Sequence, residues 1–150
     1  MKRIIEIIVI MFFMLTMAAC AQTLDIDNLS LSEYGELKDE GIVMRITNKK
    51  VTTETDSVMI EYINNRDTEV VFGEEPHLEI MRKGNWYVVP AKEDAAWIDI
   101  AYILPPGGSD RKEFALKFYY ENLNLGHYRI VKTFFSDSGN VVAAAEFDIQ

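Results

Sequence analysis

The feature that most constrains this chain is a series of short β-prone runs, each ended by turn residues, from Ile42 to the C-terminus. Val58, Ile60 and Tyr62, for example, share one face of a run that stops at 64–67. Turn signals recur about every 8–12 residues, and no helical period lasts longer than one turn. The pattern predicts an all-β fold, an antiparallel β-sandwich of seven to nine strands.

The predicted strands cover 41–47, 57–63, 69–72, 77–81, 86–89, 98–104, 114–118, 128–135 and 141–149. Lys83-Gly84-Asn85 lies between two of these runs and predicts a hairpin. In 114–118 apolar and polar residues alternate more regularly than elsewhere, which predicts a half-buried strand. Residues 91–97 have the composition of a single helical turn ahead of the strand at 98–104.

The first twenty residues have the layout of an export signal. Met1-Lys2-Arg3 precedes an apolar stretch from Ile4 to Leu15 and the small residues Ala18-Ala19, which predicts a signal peptide over 1–19. Cys20 follows at once, and this arrangement resembles the lipobox of bacterial lipoproteins, in which the thiol is acylated. The position three before the cysteine is Met17, where the lipobox usually has Leu, Val or Ile.

Two alternatives to a lipid anchor at Cys20 remain for this segment. One is an ordinary cleaved signal with an incidental cysteine. The other is an uncleaved membrane helix, which is disfavoured because the apolar run contains Glu6 and is shorter than the ~20 residues of a span. The lipobox resemblance implies a cell-membrane location, lipid-anchored and facing away from the cytoplasm.

Charge and cysteine content exclude several classes of function. Residues 1–19 carry two basic side chains and one acidic one, so the remaining 131 residues have a net charge of −10. That charge argues against nucleic acid as a partner and against a polybasic membrane patch. With Cys20 used as the anchor, the domain has no disulfide, cysteine-based zinc site or thiol nucleophile. Its 131 residues suffice for one hydrophobic core.

Residues 20–41 are polar and acidic and predict a flexible tether between the lipidated N-terminus and a domain over 42–150. Within it, Leu29 to Tyr34 favours a first strand or short turn. A short helix from Ser32 to Asp39 is an alternative without an apolar stripe.

Several landmarks, in order and spacing, resemble a bacterial immunoglobulin-like domain family of exported proteins. They are Asn64-Asn65, Gly73-Glu74, Leu78-Glu79, the stretch 84–90, the stretch 98–107 and the stretch 125–132, together spanning Ile42 to Phe135. The resemblance implies an immunoglobulin-like sandwich in an exported protein. It implies no activity and assigns no functional residue.

Two landmarks also have a physical interpretation. Gly126-His127-Tyr128 places a tyrosine at the start of a strand, as in the tyrosine corner of immunoglobulin-type sandwiches. Trp86, in the second arm of the predicted hairpin, is a candidate for the core.

No pattern for catalysis, cofactors or metal binding is present in the sequence. His77 and His127 are far apart and lack the HxH or HExxH spacing of metal ligands, so both are expected to be loop histidines. No Gly-x-Ser-x-Gly or Ser-x-x-Lys motif occurs. Asp99 is expected to be solvated; if its face were covered, it would need a cationic partner. The protein is therefore predicted not to be an enzyme.

Aromatic residues are the remaining candidates for binding. The candidate patch consists of Trp86, Tyr87, Trp97, Tyr119 and Tyr120. Adjacent strand residues face opposite ways, so one of Trp86/Tyr87 and one of Tyr119/Tyr120 should point outward. Clustered, they would form a patch for an envelope protein or glycan; the alternative is isolated aromatics or a second covered face.

Together, these features predict a lipid-anchored, non-catalytic interaction or accessory module at the cell envelope. The alternatives are a ligand-sensing or small-molecule-binding lipoprotein, and an envelope enzyme or enzyme inhibitor that uses a loop site.

Overall fold

The computed structural model describes residues 24–150. The predicted signal peptide 1–19 and Cys20 lie outside the described residues. The described part forms nine strands and one short helix: β1 (Ile42–Ile46), β2 (Val58–Asn64), β3 (Val70–Phe72), β4 (His77–Arg82), β5 (Asn85–Val89), β6 (Tyr102–Leu104), β7 (Ser109–Phe114), α1 (Leu116–Tyr119), β8 (Gly126–Phe134) and β9 (Val141–Ile149). A 3₁₀ turn, Ile26–Asn28, precedes them.

The strands pair antiparallel in two main sheets, with orders β1-β2-β7 and β5-β4-β8-β9. A small sheet, β3-β6, joins the second of these because Val71 pairs with Phe135, the residue after β8. The predicted all-β antiparallel sandwich of seven to nine strands is confirmed.

The core lies between the sheets and follows the two-residue period of the strands. In β9 the buried residues alternate with more exposed ones, as in Ala145, Glu146 and Phe147. Phe72, Tyr62 and Phe134 meet at the centre, with ring centroids 4.9–6.1 Å apart. Since residues 24–150 contain no cysteine, apolar burial rather than a disulfide joins the sheets.

The predicted hairpin forms between β4 and β5. Its two loop residues, Lys83 and Gly84, have φ angles of 51° and 80°. Positive φ at both positions is the backbone of a type I′ turn, whose twist matches that of the paired strands.

The predicted strand over 114–118 is correct only at Phe114, the last residue of β7, and is wrong for 115–118. Pairing of β7 with β2 ends where Phe114 faces Val58, and the chain then turns into α1. There the Tyr120 N–H donates to the Leu116 carbonyl at 2.9 Å. This helical spacing buries Leu116 and Tyr120 together and leaves Phe118 exposed, whereas strand alternation had placed Phe118 inside.

The predicted strand over 98–104 is shorter than expected. Only Tyr102–Leu104 pairs, and upstream the Ile100 N–H donates to the Ile98 carbonyl at 3.0 Å. A three-residue turn of this kind is common where a strand begins. Residues 91–97 contain a β-turn in place of the expected helical turn, closed by a hydrogen bond from the Ala95 N–H to the Lys92 carbonyl.

Residues 24–37, called here the N-terminal strap, lie against the sandwich rather than forming the expected flexible tether. The Leu24 N–H donates to the Asn122 carbonyl at 2.9 Å. Further along, the Ser32 N–H donates to Trp86, and the Val88 N–H to Ser30, both at 2.9 Å. Where a first strand or short turn was predicted, near Leu29 to Tyr34, Leu31 makes one isolated bridge to Tyr87 of β5, and the alternative helix over 32–39 is absent.

The domain boundary at residue 42 stays a prediction. Between residues 24 and 150 there is no helix that combines the length and the apolar character needed to cross a membrane.

Candidate interaction surface

The five aromatic residues of the candidate patch do not form one exposed group. Trp86 and Tyr120 are buried, while Tyr87, Trp97 and Tyr119 are half-buried. Their role in binding stays a prediction, but their positions divide them between two places in the fold.

One place is an aromatic stack around Phe114. Trp97 lies on Tyr119 with ring centroids 3.6 Å apart, and Phe114 is parallel to Tyr119 at 5.6 Å. Tyr120 packs against the same phenylalanine, and its hydroxyl accepts a hydrogen bond from the Leu78 N–H at 3.3 Å. Burial raises the pKa of Tyr120 to about 12. The stack closes one side of the core and has little free ring surface.

The other place is the outer face of the β5-β4-β8-β9 sheet, beneath the N-terminal strap. Trp86 is buried there. The sequence had suggested that it lies in the sandwich core, and it does not. The Arg129 guanidinium lies 4.3 Å from the centroid of its ring, a cation–π contact. Trp86 therefore belongs to a second covered face.

A buried ion pair lies beside Trp86. Arg129 Nε donates to Glu79 Oε2 at 2.6 Å, and both side chains are almost fully buried. The strap supplies the remaining partners: the Ser32 hydroxyl donates to Glu79 at 2.5 Å, and the Gly35 carbonyl accepts from Arg129 at 2.8 Å. Because a buried charge needs complete hydrogen bonding, these contacts of the strap help to stabilise the ion pair.

Next to the strap is a cleft of ≈ 620 Å³, lined by residues that include Leu37, Met44, Trp86, Arg129 and Ala144. This volume falls within the range of small-molecule sites. The cleft is open to solvent and mixes charged and apolar groups.

The two histidines lie at the beginnings of β4 and β8 rather than in loops as expected, and both reach the surface. His127 lies between two carboxylates, with Nδ1 2.8 Å from Asp148 and Nε2 3.0 Å from Glu146. Partial burial lowers its pKa, but hydrogen bonds to the two carboxylates outweigh this and raise the pKa above its usual value. His77 is exposed, with its ring 5.9 Å from Tyr34. Among residues 24–150, no three His, Cys, Asp or Glu side chains converge as a metal site would require.

A group of apolar side chains lies on the surface where the small β3-β6 sheet meets the end of β8. Phe135, Val71 and Ile103 are directly paired across three adjacent strands. Directly paired residues point to the same face of a sheet, and Phe72 and Phe134 point to the core. This row of three therefore points away from the core.

A cleft of ≈ 450 Å³ adjoins this row. Its lining includes Ile98 and Ile100 beside Phe135, together with the acidic residues Glu74, Glu75 and Asp99. The apolar–acidic surface is defined here as Val71, Glu74, Glu75, Ile98, Asp99, Ile100, Ile103 and Phe135. Asp99 is exposed, as expected.

The buried side chain of Lys132 binds the backbone of residues 73–75, the acidic segment of this surface. Its amine donates to the carbonyls of Gly73, Glu74 and Glu75 at 2.6, 3.0 and 3.4 Å. Burial lowers the pKa of Lys132 to about 8. Since the lysine bonds to backbone carbonyls, the conformation of 73–75 depends on this one side chain.

The outer face of the β1-β2-β7 sheet is different in character. Glu61 lies between Arg45 and Arg111 on neighbouring strands, and hydrogen bonds from Arg111 and Arg45 lower its pKa. Such a row of paired charges is typical of a solvated face.

Sequence reasoning did not find the apolar–acidic surface, because it placed Ile98 and Ile100 in a strand facing the core. One signal was available: Phe134 and Phe135 are adjacent, so one of them must face outward. The sequence could not show that Ile103 and Phe135 belong to one row, since they are joined only through Val71 of β3.

The fold is that of an immunoglobulin-type sandwich, and its tyrosine corner is present. The Tyr128 hydroxyl donates to the Asn124 carbonyl, four residues upstream, at 2.8 Å. Residues 38–148 match the family model described as a bacterial Ig-like domain. The chain belongs to this family, and the resemblance stated from the sequence is confirmed.

Among solved structures, the chain is similar to a PapD-like domain of human CEP192, at 10% identity and a TM-score of 0.31. That match covers 73% of this chain and 87% of the other. No curated protein matches the sequence.

Proposed function

We propose that this protein is a lipid-anchored, extracytoplasmic Ig-like module that binds another component of the cell envelope and catalyses no reaction. The lipobox-like sequence ending at Cys20 supports the anchor. Membership of the bacterial Ig-like family supports a non-catalytic module.

The observation that carries the proposal is the separation of two ends of the domain. Leu24 is bonded to Asn122 and Asn124 at one end. Cys20 lies four residues earlier, and an extended chain reaches about 3.6 Å per residue, so a lipid on Cys20 would hold this end within about 14 Å of the membrane. β8 starts next to Asn124 and runs for nine residues, about 30 Å, to the apolar–acidic surface.

Such an arrangement suits a module that presents a binding surface away from its own membrane. The net charge of −10 after residue 19 favours standoff from an anionic lipid surface. The same negative charge makes nucleic acid an unsuitable partner.

The anchor is tested with Cys20→Ser. We expect wild-type protein from the exporting host to partition into the detergent phase with an acylated N-terminus, measured by phase separation and mass spectrometry. The Cys20→Ser variant should stay in the aqueous phase or keep its signal peptide. Met17→Leu is the matched control, because it completes the lipobox pattern and should preserve acylation. Equal detergent partitioning of wild type and Cys20→Ser would reject the anchor.

The cleft beside the strap favours a second candidate, a small-molecule-binding lipoprotein. Its ≈ 620 Å³ would hold a ligand between Trp86, Arg129 and Met44. Native mass spectrometry of the purified protein checks this: a co-purifying small molecule, lost in an Ala144→Trp variant that fills the cleft, would support it.

A further inference from the structure

We propose that the apolar–acidic surface binds an extended, basic and apolar segment of a partner protein, which pairs with β6 as an added strand. This inference rests on the proposed role as an interaction module and specifies its partner.

The free edge of β6 provides the backbone groups for such pairing. Val71 uses both its N–H and its carbonyl towards Phe135, each at 2.8 Å. On the other side of β3, Val71 faces Ile103, which is therefore a non-hydrogen-bonded pair. The N–H and carbonyl of Ile103 accordingly point to the open side of β6, where no strand of residues 24–150 is paired. An extended segment can bond to such an edge.

The side chains around this edge provide the apolar contact. Ile98 is 65% exposed, Ile103 62%, Phe135 51% and Ile100 39%. They make up four of the seven large apolar side chains exposed in the described part of the chain. Scattered exposure of single apolar residues is ordinary, but clustering at one edge is typical of an interaction site.

Charge determines the kind of segment that fits. Glu74, Glu75 and Asp99 line the same cleft as Ile98 and Phe135. Lys132, a cation beside this cleft, is only 4% exposed and directed to backbone carbonyls. A segment in which Lys or Arg alternates with apolar residues would place its apolar side chains on the row, and its positive charge would be attracted by the acidic residues of the cleft.

The same charge disfavours a second copy of this chain as the occupant. Pairing of two β6 edges would bring the acidic residues of both copies together, on proteins that each carry a net charge of −10 after residue 19. Like charges at an interface oppose association.

The test uses the full chain in a non-ionic detergent and fluorescent ten-residue peptides as probes. In the first peptide Lys alternates with Val or Ile. In the second, Glu replaces each Lys. The third has the same residues as the first, but all the Lys residues precede the apolar ones. We expect binding of the first alone by fluorescence anisotropy, with an affinity that falls as salt rises. Hydrogen exchange should show the Ile103 amide protected when the peptide is bound.

Variants locate the binding. Ile103→Ser and Phe135→Ser should each lower the affinity for the alternating peptide by about tenfold, as should the double variant Glu75→Gln/Asp99→Asn. Leu125→Ser is the matched control, because Leu125 is 68% exposed but lies next to Asn124 at the other end of β8. It should leave the affinity unchanged. All of these positions are exposed, so thermal unfolding should match wild type within a few degrees.

Several results would overturn the inference. These are no binding of the alternating peptide up to millimolar concentration, equal binding of the acidic or block peptide, or an equal loss in Leu125→Ser. Concentration-dependent dimers that Ile103→Ser abolishes would assign the edge to a second copy instead. The outcome is independent of the anchor: Cys20→Ser can reject lipidation while peptide binding persists, and the reverse also holds.

Discussion

Lys132 is a cation on the core side of a strand, between Ile130 and Phe134. Its side chain is 4% exposed, and its amine lies 5.6 Å from the Phe72 ring. Three backbone carbonyls compensate for the lost water. These hydrogen bonds offset the cost of burying the charge and tie the side chain to the backbone of 73–75.

Replacing Lys132 by Met should change the pH dependence of stability. Burial lowers the folded-state pKa of Lys132 to about 8 from an ordinary 10.5. Between these values the unfolded chain binds more protons than the folded one, so the free energy of unfolding of wild type rises with pH. We expect that rise to amount to about 3 kcal/mol relative to Lys132→Met, measured by urea unfolding from pH 7 to 10.5.

The tyrosines, whose own titration opposes this effect above pH 10, are common to both proteins and cancel in the comparison. Parallel pH profiles for wild type and Lys132→Met would show that the amine is not desolvated in the folded state.

A substitution at Tyr128 tests how much the tyrosine corner contributes to stability. Tyr128→Phe removes the hydrogen bond to the Asn124 carbonyl and keeps the packing of the ring, so we expect the free energy of unfolding to fall by about 1 kcal/mol. Denaturant unfolding measures this. Tyr119→Phe is the control, because the Tyr119 hydroxyl has no hydrogen-bond partner among residues 24–150 and its loss should be close to neutral.

At the scale of elements, the N-terminal strap and α1 depart most from the sequence pattern. The strap has no continuous apolar stripe, and its order comes from Ser32 and Gly35 at the Glu79–Arg129 pair. Helix α1 follows the end of the β2–β7 pairing at Phe114, and its Lys117 N–H donates to the Asp56 carbonyl at 3.0 Å. Both depend on groups far away in sequence, so local periodicity could not predict them.

Ser32→Ala should loosen the strap. It leaves Glu79 with one hydrogen bond fewer in a buried site, at a cost of about 1–3 kcal/mol. Hydrogen exchange at the Ser32 and Val88 amides, which bond across the strap and β5, should speed up well before global unfolding. Ser30→Ala is the matched control, since the side chain of Ser30 is exposed. Unchanged exchange in Ser32→Ala would show that the backbone bonds alone hold the strap.

At the scale of the whole molecule, packing holds the two sheets together. Phe72 contacts the rings of Tyr62, Tyr102 and Phe134, so it joins the small β3-β6 sheet to both main sheets. The apolar–acidic surface is built on this junction, and its geometry therefore depends on the core beneath it.

Phe72→Ala should lower the free energy of unfolding by about 3–5 kcal/mol, because it leaves a cavity between the sheets. Phe118→Ala removes a ring of the same size that is 65% exposed, and should cost no more than about 0.5 kcal/mol. Chemical denaturation of the two variants measures the difference. Similar losses would mean that Phe118 is covered in solution.

The sequence by itself determined the all-β class, the hairpin at Lys83-Gly84, the tyrosine corner and the alternating core face of β9, because each depends on neighbours within about ten residues. It also carries the prediction of an anchor at Cys20. Only the tertiary structure decided that Trp86 is covered by the strap, that Arg129 and Glu79 pair, and that Ile103 and Phe135 lie on either side of Val71. These arrangements join segments about 30 to 100 residues apart, and pairing across a sheet leaves no local periodic trace in the chain.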